Sequence, residues 1–288
     1  MTSTPDLVIR GGNIADGKGG DLYEADVAMS GGRITEVGKV LGKGKEEIDA
    51  KGKLVAPGFV DVHTHYDGQV TWSQDITPSS QNGVTTAIMG NCGVGFAPCR
   101  PVDHVRLIQL MEGVEDIPEP VLSAGIPWAW ESFPDYMDWL SKRSFDMDVG
   151  AQLPHAALRV YVMGDRGARR DPSTPEDNKA MAALAGDAVR AGALGFSTSR
   201  TLNHRTSTGD YTPTLKAGED ELTAIAAAMH GQGRSVLQFV LDLSTINEDL
   251  PMMLRVAENT KIPVTFSITQ NDKAPQRWRQ TLDEINAA

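Results

Sequence analysis

The sequence predicts an α/β fold, specifically a (β/α)₈ TIM barrel, from three observations. Beyond residue 57, short apolar segments alternate with longer helical patterns, as in successive βα units. The first apolar segment ends in two histidines, and TIM-barrel enzymes carry their functional residues at the carboxyl ends of their strands. Six candidate strands are present and the chain ends in a helical pattern, so we expect a barrel truncated after about six strands.

Residues 1–57 have a different pattern. Apolar and polar positions alternate in short runs such as DLVIRGG and RITEVG, which are separated by Gly-Gly and Gly-Lys turns. This punctuation is typical of a small antiparallel sheet. We therefore expect a β-structured segment over residues 1–57 and the barrel over residues 58–288, with the boundary near Pro57.

The predicted barrel strands follow one another along the rest of the chain. They cover residues 58–65, 85–91, 149–160, 193–199, 235–242 and 263–269. Before strand four, Pro175 and Glu176 suit the first turn of a helix and Gly192 suits its end. The segment over residues 93–148 is too long for one plain crossover. Its aromatic side chains either pack as in an ordinary helix or cover one mouth of the barrel; they are Trp128, Trp130, Phe133, Tyr136 and Trp139.

Composition excludes several classes of partner. The formal net charge of −11 opposes binding to nucleic acid or to an anionic membrane, because both require a basic surface. No apolar segment approaches the ~20 residues of a membrane span, and the chain does not open with a signal-peptide pattern. Two cysteines do not suggest a disulfide framework. We expect a cytoplasmic protein that acts on a small molecule.

The strongest chemical signal is the His-Thr-His run at the end of strand one. Residues two apart in a strand point to the same side, so His63 and His65 present two imidazoles together. Cys92 follows strand two in the run MGNCGVG, where glycines allow backbone and ion to approach closely. The histidine pair favours a metal site, and Cys92 is either a third ligand or a buried packing residue.

The runs GFVDVHTHYDG, GNCG and GALGFST together resemble the amidohydrolase superfamily, in its branch of N-acyl-D-amino-acid deacylases and D-aminoacylases. This resemblance implies a (β/α)₈ barrel with a small β-sandwich, to which residues 1–57 contribute. It also implies hydrolysis of the amide of N-acyl-D-amino acids with zinc, as one or two divalent ions. By the same resemblance, His63, His65 and Cys92 occupy metal-binding positions.

The chain departs from that family pattern downstream. The family supplies metal-binding histidines from strands five and six and a catalytic aspartate from its last strand. Here these two strands carry no histidine, and the last-strand aspartate is absent from the chain. The polar groups near strands five and six are Gln238, Asp242, Gln270 and Asp272. Glutamine is a poor zinc ligand. We assign no role to these four residues, and we assign no catalytic residue in the chain.

Four further residues are candidates with ordinary alternatives. Asp67 could orient a ligand imidazole, or it could cap a turn. Arg200 and His204, in the loop after strand four, could bind a substrate, or the loop could be solvated. His155 in strand three could contact the substrate or pack in the core. The acidic run over residues 112–119 is interpreted as a solvated face.

The leading hypothesis is a metal-dependent hydrolase of non-peptide carbon-nitrogen bonds, with an N-acyl amino acid or a similar small amide as substrate. The alternative is a catalytically inactive or truncated protein of the same fold. A related hydrolase of cyclic amides is disfavoured, because such enzymes commonly use a carboxylated lysine on strand four and ALGFSTS contains none. An incomplete barrel would expose strand edges, so a homo-oligomer is also expected.

Overall fold

The computed structural model describes residues 4–242, 245–270 and 272–287. It divides into two compact units, Met1–Phe59 and Val60–Ala288. The strands are β1 (Leu7–Ile14), β2 (Tyr23–Ser30), β3 (Arg33–Gly38), β4 (Glu46–Asp49), β5 (Leu54–Val55), β6 (Phe59–Asp61), β7 (Val84–Met89), β8 (Asp148–Ala151), β9 (Leu153–Pro154), β10 (Gly195–Ser199), β11 (Val236–Val240) and β12 (Val264–Phe266). The helices are α1 (Gln69–Trp72), α2 (His104–Glu115), α3 (Glu119–Gly125), α4 (Phe133–Ser141), α5 (His155–Met163), α6 (Asp165–Ala168), α7 (Pro175–Arg190), α8 (Glu219–Met229), α9 (Ile246–Thr260) and α10 (Arg277–Ala287).

The first unit contains one mixed sheet in the order β3-β2-β1-β4, with β5 also paired to β1. Strand β2 runs antiparallel to both of its neighbours, as the sequence predicts. The prediction of a wholly antiparallel sheet is wrong, because β4 and β5 run parallel to β1. The loop over residues 39–45 takes the chain from the β3 edge to the far side of β1, so β4 returns in the direction of β1.

From Phe59 onward, the described residues form six successive strand positions with helices between them. The strand orders are β6-β7-β8 and β9-β10-β11-β12, and β7–β8, β9–β10, β10–β11 and β11–β12 pair in parallel. The third position is a strand with a kink between β8 and β9. At this kink, the Gln152 N–H donates to the Met89 carbonyl and the Leu194 N–H donates to the Ala151 carbonyl, each at 2.9 Å.

The predicted third strand, residues 149–160, is wrong in its second half. The strand ends at Pro154, and helix α5 begins at His155. Every residue of α5 from His155 to Val160 is buried, including the polar His155 and Arg159. A short helical segment that is buried on every side lacks the exposed polar face of a surface helix and resembles a buried strand in sequence.

The helices begin where local sequence favours them. In α7 the Thr174 side chain accepts the Asp177 N–H and the Asp177 carboxylate accepts the Thr174 N–H, while Pro175 occupies the first turn. Gly192, just past the end of α7, has a φ of 109°. The predicted helix start and end are thus confirmed. Within the described residues, no helix is both long and apolar enough to cross a membrane.

The long segment between β7 and β8 contains α2, α3 and α4. Its aromatic side chains contact one another, with Trp130 centred 4.8 Å from Tyr136 and 5.3 Å from Trp139. Trp130, Phe133 and Tyr136 are buried in the main core. This packing supports the ordinary structural interpretation of the aromatic residues.

Candidate metal centre

The two histidines lie just beyond β6, in a turn held by the residue between them. The Thr64 N–H and hydroxyl both donate to the Ile88 carbonyl on β7, at 2.9 and 2.8 Å. Thr64 is buried, so its side chain points inward against the neighbouring strand. This anchor leaves His63 and His65 on either side of Thr64 with their rings 5.4 Å apart.

Cys92 lies in a tight loop that follows β7. Its own φ is 55°, in the left-handed region, and Gly90 and Gly93 have φ values of 76° and 71°. At Gly90 a Cβ atom would lie 2.2 Å from the Gln152 carbonyl oxygen, so no larger residue fits without displacing the backbone. The loop geometry therefore requires glycine where the sequence has it.

Side chains from the next strands hold this loop. The Cys92 N–H donates to the Gln238 Oε1 at 3.2 Å, and the Gly93 N–H donates to the Ser197 hydroxyl at 2.9 Å. The Gln238 amide nitrogen in turn donates to the Phe239 carbonyl at 2.9 Å. Gln238, one of the residues left without a role by the sequence, thus fixes the backbone that carries Cys92.

The structure brings His63, His65 and Cys92 together, and we refer to these residues as the ligand trio. The Cys92 Sγ lies 3.1 Å from the His63 Nε2 and 3.3 Å from the His65 Nε2. All three donor atoms lie within 4.8 Å of one another. Two imidazoles and a thiolate suit zinc and similar transition metals, so this donor set fits the metal that the sequence predicts.

Burial and neighbouring groups control the protonation of the trio. Burial, followed by the nearby His63 and His204, lowers the pKa of His65 to about 3. Burial also lowers the pKa of His63, so both imidazoles are neutral near pH 7 and keep a lone pair for a ligand bond. Burial raises the pKa of the Cys92 thiol, and the carboxylates of Glu115 and Asp67 raise it further. A bound cation would reverse this effect, because it stabilises a thiolate.

Sequence reasoning missed Glu115, which is the last residue of α2. Its Oε1 lies 3.2 Å from the His65 Nε2. Burial and the negative charges of Asp67 and Asp116 raise the pKa of Glu115 to about 7. The assignment of a solvated face is therefore wrong for this residue. Glu115 follows the buried Ile108 by seven positions and the buried Met111 by four, a helical spacing that indicates the buried face.

Asp67 lies in the core close to the site, with 3% of its surface exposed. Burial raises the pKa of its carboxyl to about 7. In the described part of the chain, its Oδ2 atom has no hydrogen-bond partner, and no hydrogen bond joins it to His63 or His65. Its contribution in this structure is a buried acidic group near Cys92.

His204 joins the site from the loop after β10. Its Nδ1 lies 2.9 Å from the Ser199 hydroxyl oxygen. Burial is the main cause that lowers the pKa of His204 to about 4, and His63 contributes to this shift. His204 lines a cleft of about 710 Å³, and the two histidines of the trio line another of about 500 Å³.

The remaining candidates are engaged elsewhere. Arg200 donates to the Asp249 carboxylate at 2.7 Å and to the Ala217 carbonyl at 2.8 Å, which favours a structural role. His155 starts α5 and is fully buried, with its Nδ1 2.8 Å from the Thr198 hydroxyl oxygen. Its Nε2 lies 2.7 Å from Glu221, and these contacts favour the packing role that the sequence also allowed.

The downstream polar residues are not gathered around the trio. Asp242 accepts hydrogen bonds from the Thr201 hydroxyl and from the Leu202 N–H. Gln270 and Asp272 are exposed to solvent. Of the four residues left without a role by the sequence, only Gln238 contacts a member of the trio within the described ranges.

Comparison with known proteins identifies relatives of the chain. A family model described as the amidohydrolase family matches residues 46–288. The chain is 30% identical to N-acyl-D-aspartate deacylase of Alcaligenes xylosoxydans xylosoxydans, over 98% of this chain and 53% of the relative. It is also 30% identical to D-aminoacylase of the same organism, over 98% of this chain and 54% of the relative. The chain thus spans about half the length of the curated relatives it matches.

Solved structures show the same relationship. A D-aminoacylase structure that concerns the functional role of its binuclear metal centre is 28% identical, with a TM-score of 0.78. The match covers 98% of this chain and 56% of that chain. Family model, relatives and fold agree, and the chain belongs to the amidohydrolase family.

Proposed function

We propose that this chain carries the metal site of a hydrolase that cleaves the amide of N-acyl-D-amino acids. The observation that carries the proposal is the convergence of the ligand trio, two imidazoles and one thiol, within 4.8 Å. The names of the relatives, N-acyl-D-aspartate deacylase and D-aminoacylase, support the substrate class. Zinc is the proposed ion, because it favours this mixture of nitrogen and sulfur donors.

The ligand trio would hold this ion. A divalent ion in such a site polarises an amide carbonyl and lowers the pKa of water. The protein's own residues keep the donors in place: Thr64 anchors the histidine turn, and Gln238 anchors the loop of Cys92. We assign no catalytic base to this chain.

His204 is the proposed substrate contact. The Ser199 hydroxyl occupies its Nδ1, which leaves the Nε2 for a hydrogen bond with a ligand. Its position on the 710 Å³ cleft gives room for an acyl group or an amino-acid side chain. We further infer that the six strand positions belong to a (β/α)₈ barrel with residues 1–57 as a separate β-segment. The predicted cytoplasmic location and homo-oligomer stay predictions.

The test combines metal content with hydrolysis. Elemental analysis of the purified chain should find zinc in near-stoichiometric amount, and the double variant His63→Ala, His65→Ala should lose it. The variant His230→Ala is the matched control, because His230 is exposed at the end of α8. Release of free amino acid is then measured from N-acetyl-D-aspartate and N-acetyl-D-glutamate, with the L-enantiomers beside them.

The outcomes separate the two hypotheses. Zinc that depends on the histidine pair, together with cleavage of the D-compounds only, supports the deacylase. Zinc without any hydrolysis favours the inactive relative. If neither parent nor variant binds a divalent ion, the proposed site is wrong.

A further inference from the structure

We propose that Glu115 is a fourth protein ligand of the ion held by the ligand trio. This inference rests on the proposed function, since it needs an ion at that site. Glu115 ends α2, about fifty residues along the chain from the histidines, and the helix returns its carboxylate to them.

Two electron-rich atoms converge on one ring nitrogen. The His65 Nε2 lies 3.2 Å from the Glu115 Oε1 and 3.3 Å from the Cys92 Sγ. A neutral imidazole has either one proton or one lone pair at this nitrogen, so a hydrogen bond satisfies only one of the two neighbours. A cation shared by all three atoms accounts for both contacts at once.

The spacing of the donors fits a single ion. Ligand distances of about 2.0–2.3 Å in a tetrahedral zinc shell place neighbouring donor atoms about 3.3–3.8 Å apart. The three contacts among the trio and Glu115 measure 3.1, 3.3 and 3.2 Å. These separations are within a few tenths of an ångström of the donor–donor distance expected around one zinc ion.

Charge gives an independent argument. Glu115 lies at the carboxyl end of α2, where the helix dipole disfavours a negative group. Its side chain is 20% exposed, and in the described part of the chain its carboxylate contacts the neutral His65 and forms no ion pair with a lysine or arginine. A thiolate and a carboxylate together would neutralise a divalent ion. Because zinc also expands to five-coordination, a fourth protein ligand is compatible with substrate binding.

The test uses Glu115→Gln, which keeps the size of the side chain and removes the anionic ligand. The control is Glu119→Gln, since Glu119 is exposed in the same acidic segment. Zinc affinity is measured on the full chain by competition with a chelator, and the cobalt-substituted proteins are compared by absorption spectroscopy. Loss of residues outside the ligand shell typically weakens metal binding by about 10–100-fold, so loss of a ligand should weaken it by about 100-fold or more.

Cobalt spectra distinguish a ligand from an orienting group. If Glu115 is a ligand, Glu115→Gln changes the d–d bands while the thiolate-to-cobalt band of Cys92 persists, and Glu115→Asp restores part of the affinity. Unchanged affinity overturns the inference, and so does weaker binding with unchanged d–d bands. If the parent binds no ion, the proposed function fails as well; if the parent binds zinc through His63 and His65 but Glu115→Gln matches it, only this inference fails. Circular dichroism checks that each variant is folded.

Discussion

Removing the charge of Glu221 should destabilise the protein far more than removing a neighbouring surface charge. Glu221 is almost fully buried in the first turn of α8, and its carboxylate lies 2.7 Å from the His155 Nε2 and 3.3 Å from the Arg159 Nη1. Burial raises the Glu221 pKa, but the hydrogen bond from His155 and the charge of Arg159 lower it below its usual value. Glu221 is therefore ionised at neutral pH.

The magnitude follows from the burial of Arg159. Its side chain is 1% exposed, so Glu221→Gln leaves a guanidinium in the core without its ion-pair partner. Breaking a buried ion pair in this way costs about 3–5 kcal/mol. For a unit of this size, such a loss lowers the Tm by about 6–20 °C.

Two residues earlier in α8, Glu219 provides the matched control. It pairs with Arg255 at 2.7 Å, with side-chain exposures of 34% and 53%, so Glu219→Gln should cost about 1 kcal/mol or less. Urea unfolding followed by tryptophan fluorescence measures both variants. Adding Arg159→Met to Glu221→Gln should recover stability, because it removes the unpaired charge. Equal midpoints for the two single variants, or no recovery in the double variant, would refute the reasoning.

Three further predictions concern pH, the loop and the site. The stabilisation by Glu221 is fully present above the unfolded carboxyl pKa near 4.5 and is lost as pH falls through the lowered folded pKa. The difference in unfolding free energy between the parent and Glu221→Gln should therefore close in acid. A constant difference in urea titrations from neutral to acid pH argues against this. Gly90→Ala should destabilise the chain by more than Gly231→Ala, since both glycines have a positive φ but of the two only Gly90 faces a backbone oxygen. In thermal melts, Gly231→Ala should lower the free energy of unfolding by about 1–2 kcal/mol. Similar losses for the two variants would contradict the prediction. Gln238→Ala should weaken zinc binding by about 10–100-fold while the exposed Gln270→Ala leaves it unchanged; equal affinities in chelator competition would show that Gln238 does not position Cys92.

The sequence predicts the fold well where hydrophobic periodicity and capping or turn residues give a local signal. The alternation of strands and helices, the start of α7 at Pro175 and the strand positions before and after it follow from such patterns. The pattern failed at α5, because a short helix whose first six residues are all buried resembles a buried strand in sequence. It also failed for the direction of β4, since a crossover loop leaves no mark on the alternation of residues within a strand.

The candidate site was likewise predictable only where its signals are local in the sequence. His63 and His65 could be found because they follow the first strand two residues apart, although that strand ends at Asp61 and not at His65, and Cys92 because its loop follows the next strand. Partners that are distant in sequence were not visible. The sequence made Arg200 a candidate for binding a substrate carboxylate. In the structure its side chain pairs instead with the carboxylate of Asp249, 49 positions away. Glu115 was missed although its helical spacing from buried residues was available.

The distribution of donors bears on the number of ions. Strand β11 contributes Gln238 to the loop of Cys92, and Ser267, just past β12, lies 3.4 Å from the His63 Nδ1, yet neither strand contains a histidine. At this place Gln238 uses its amide oxygen for the backbone of Cys92 and its amide nitrogen for the Phe239 carbonyl. Because both polar atoms of this amide already make hydrogen bonds, Gln238 has little capacity to bind a metal. Glutamine is also a poor zinc ligand. Within the described residues, the ligands that we propose are therefore the trio and Glu115, a set that favours one ion rather than two.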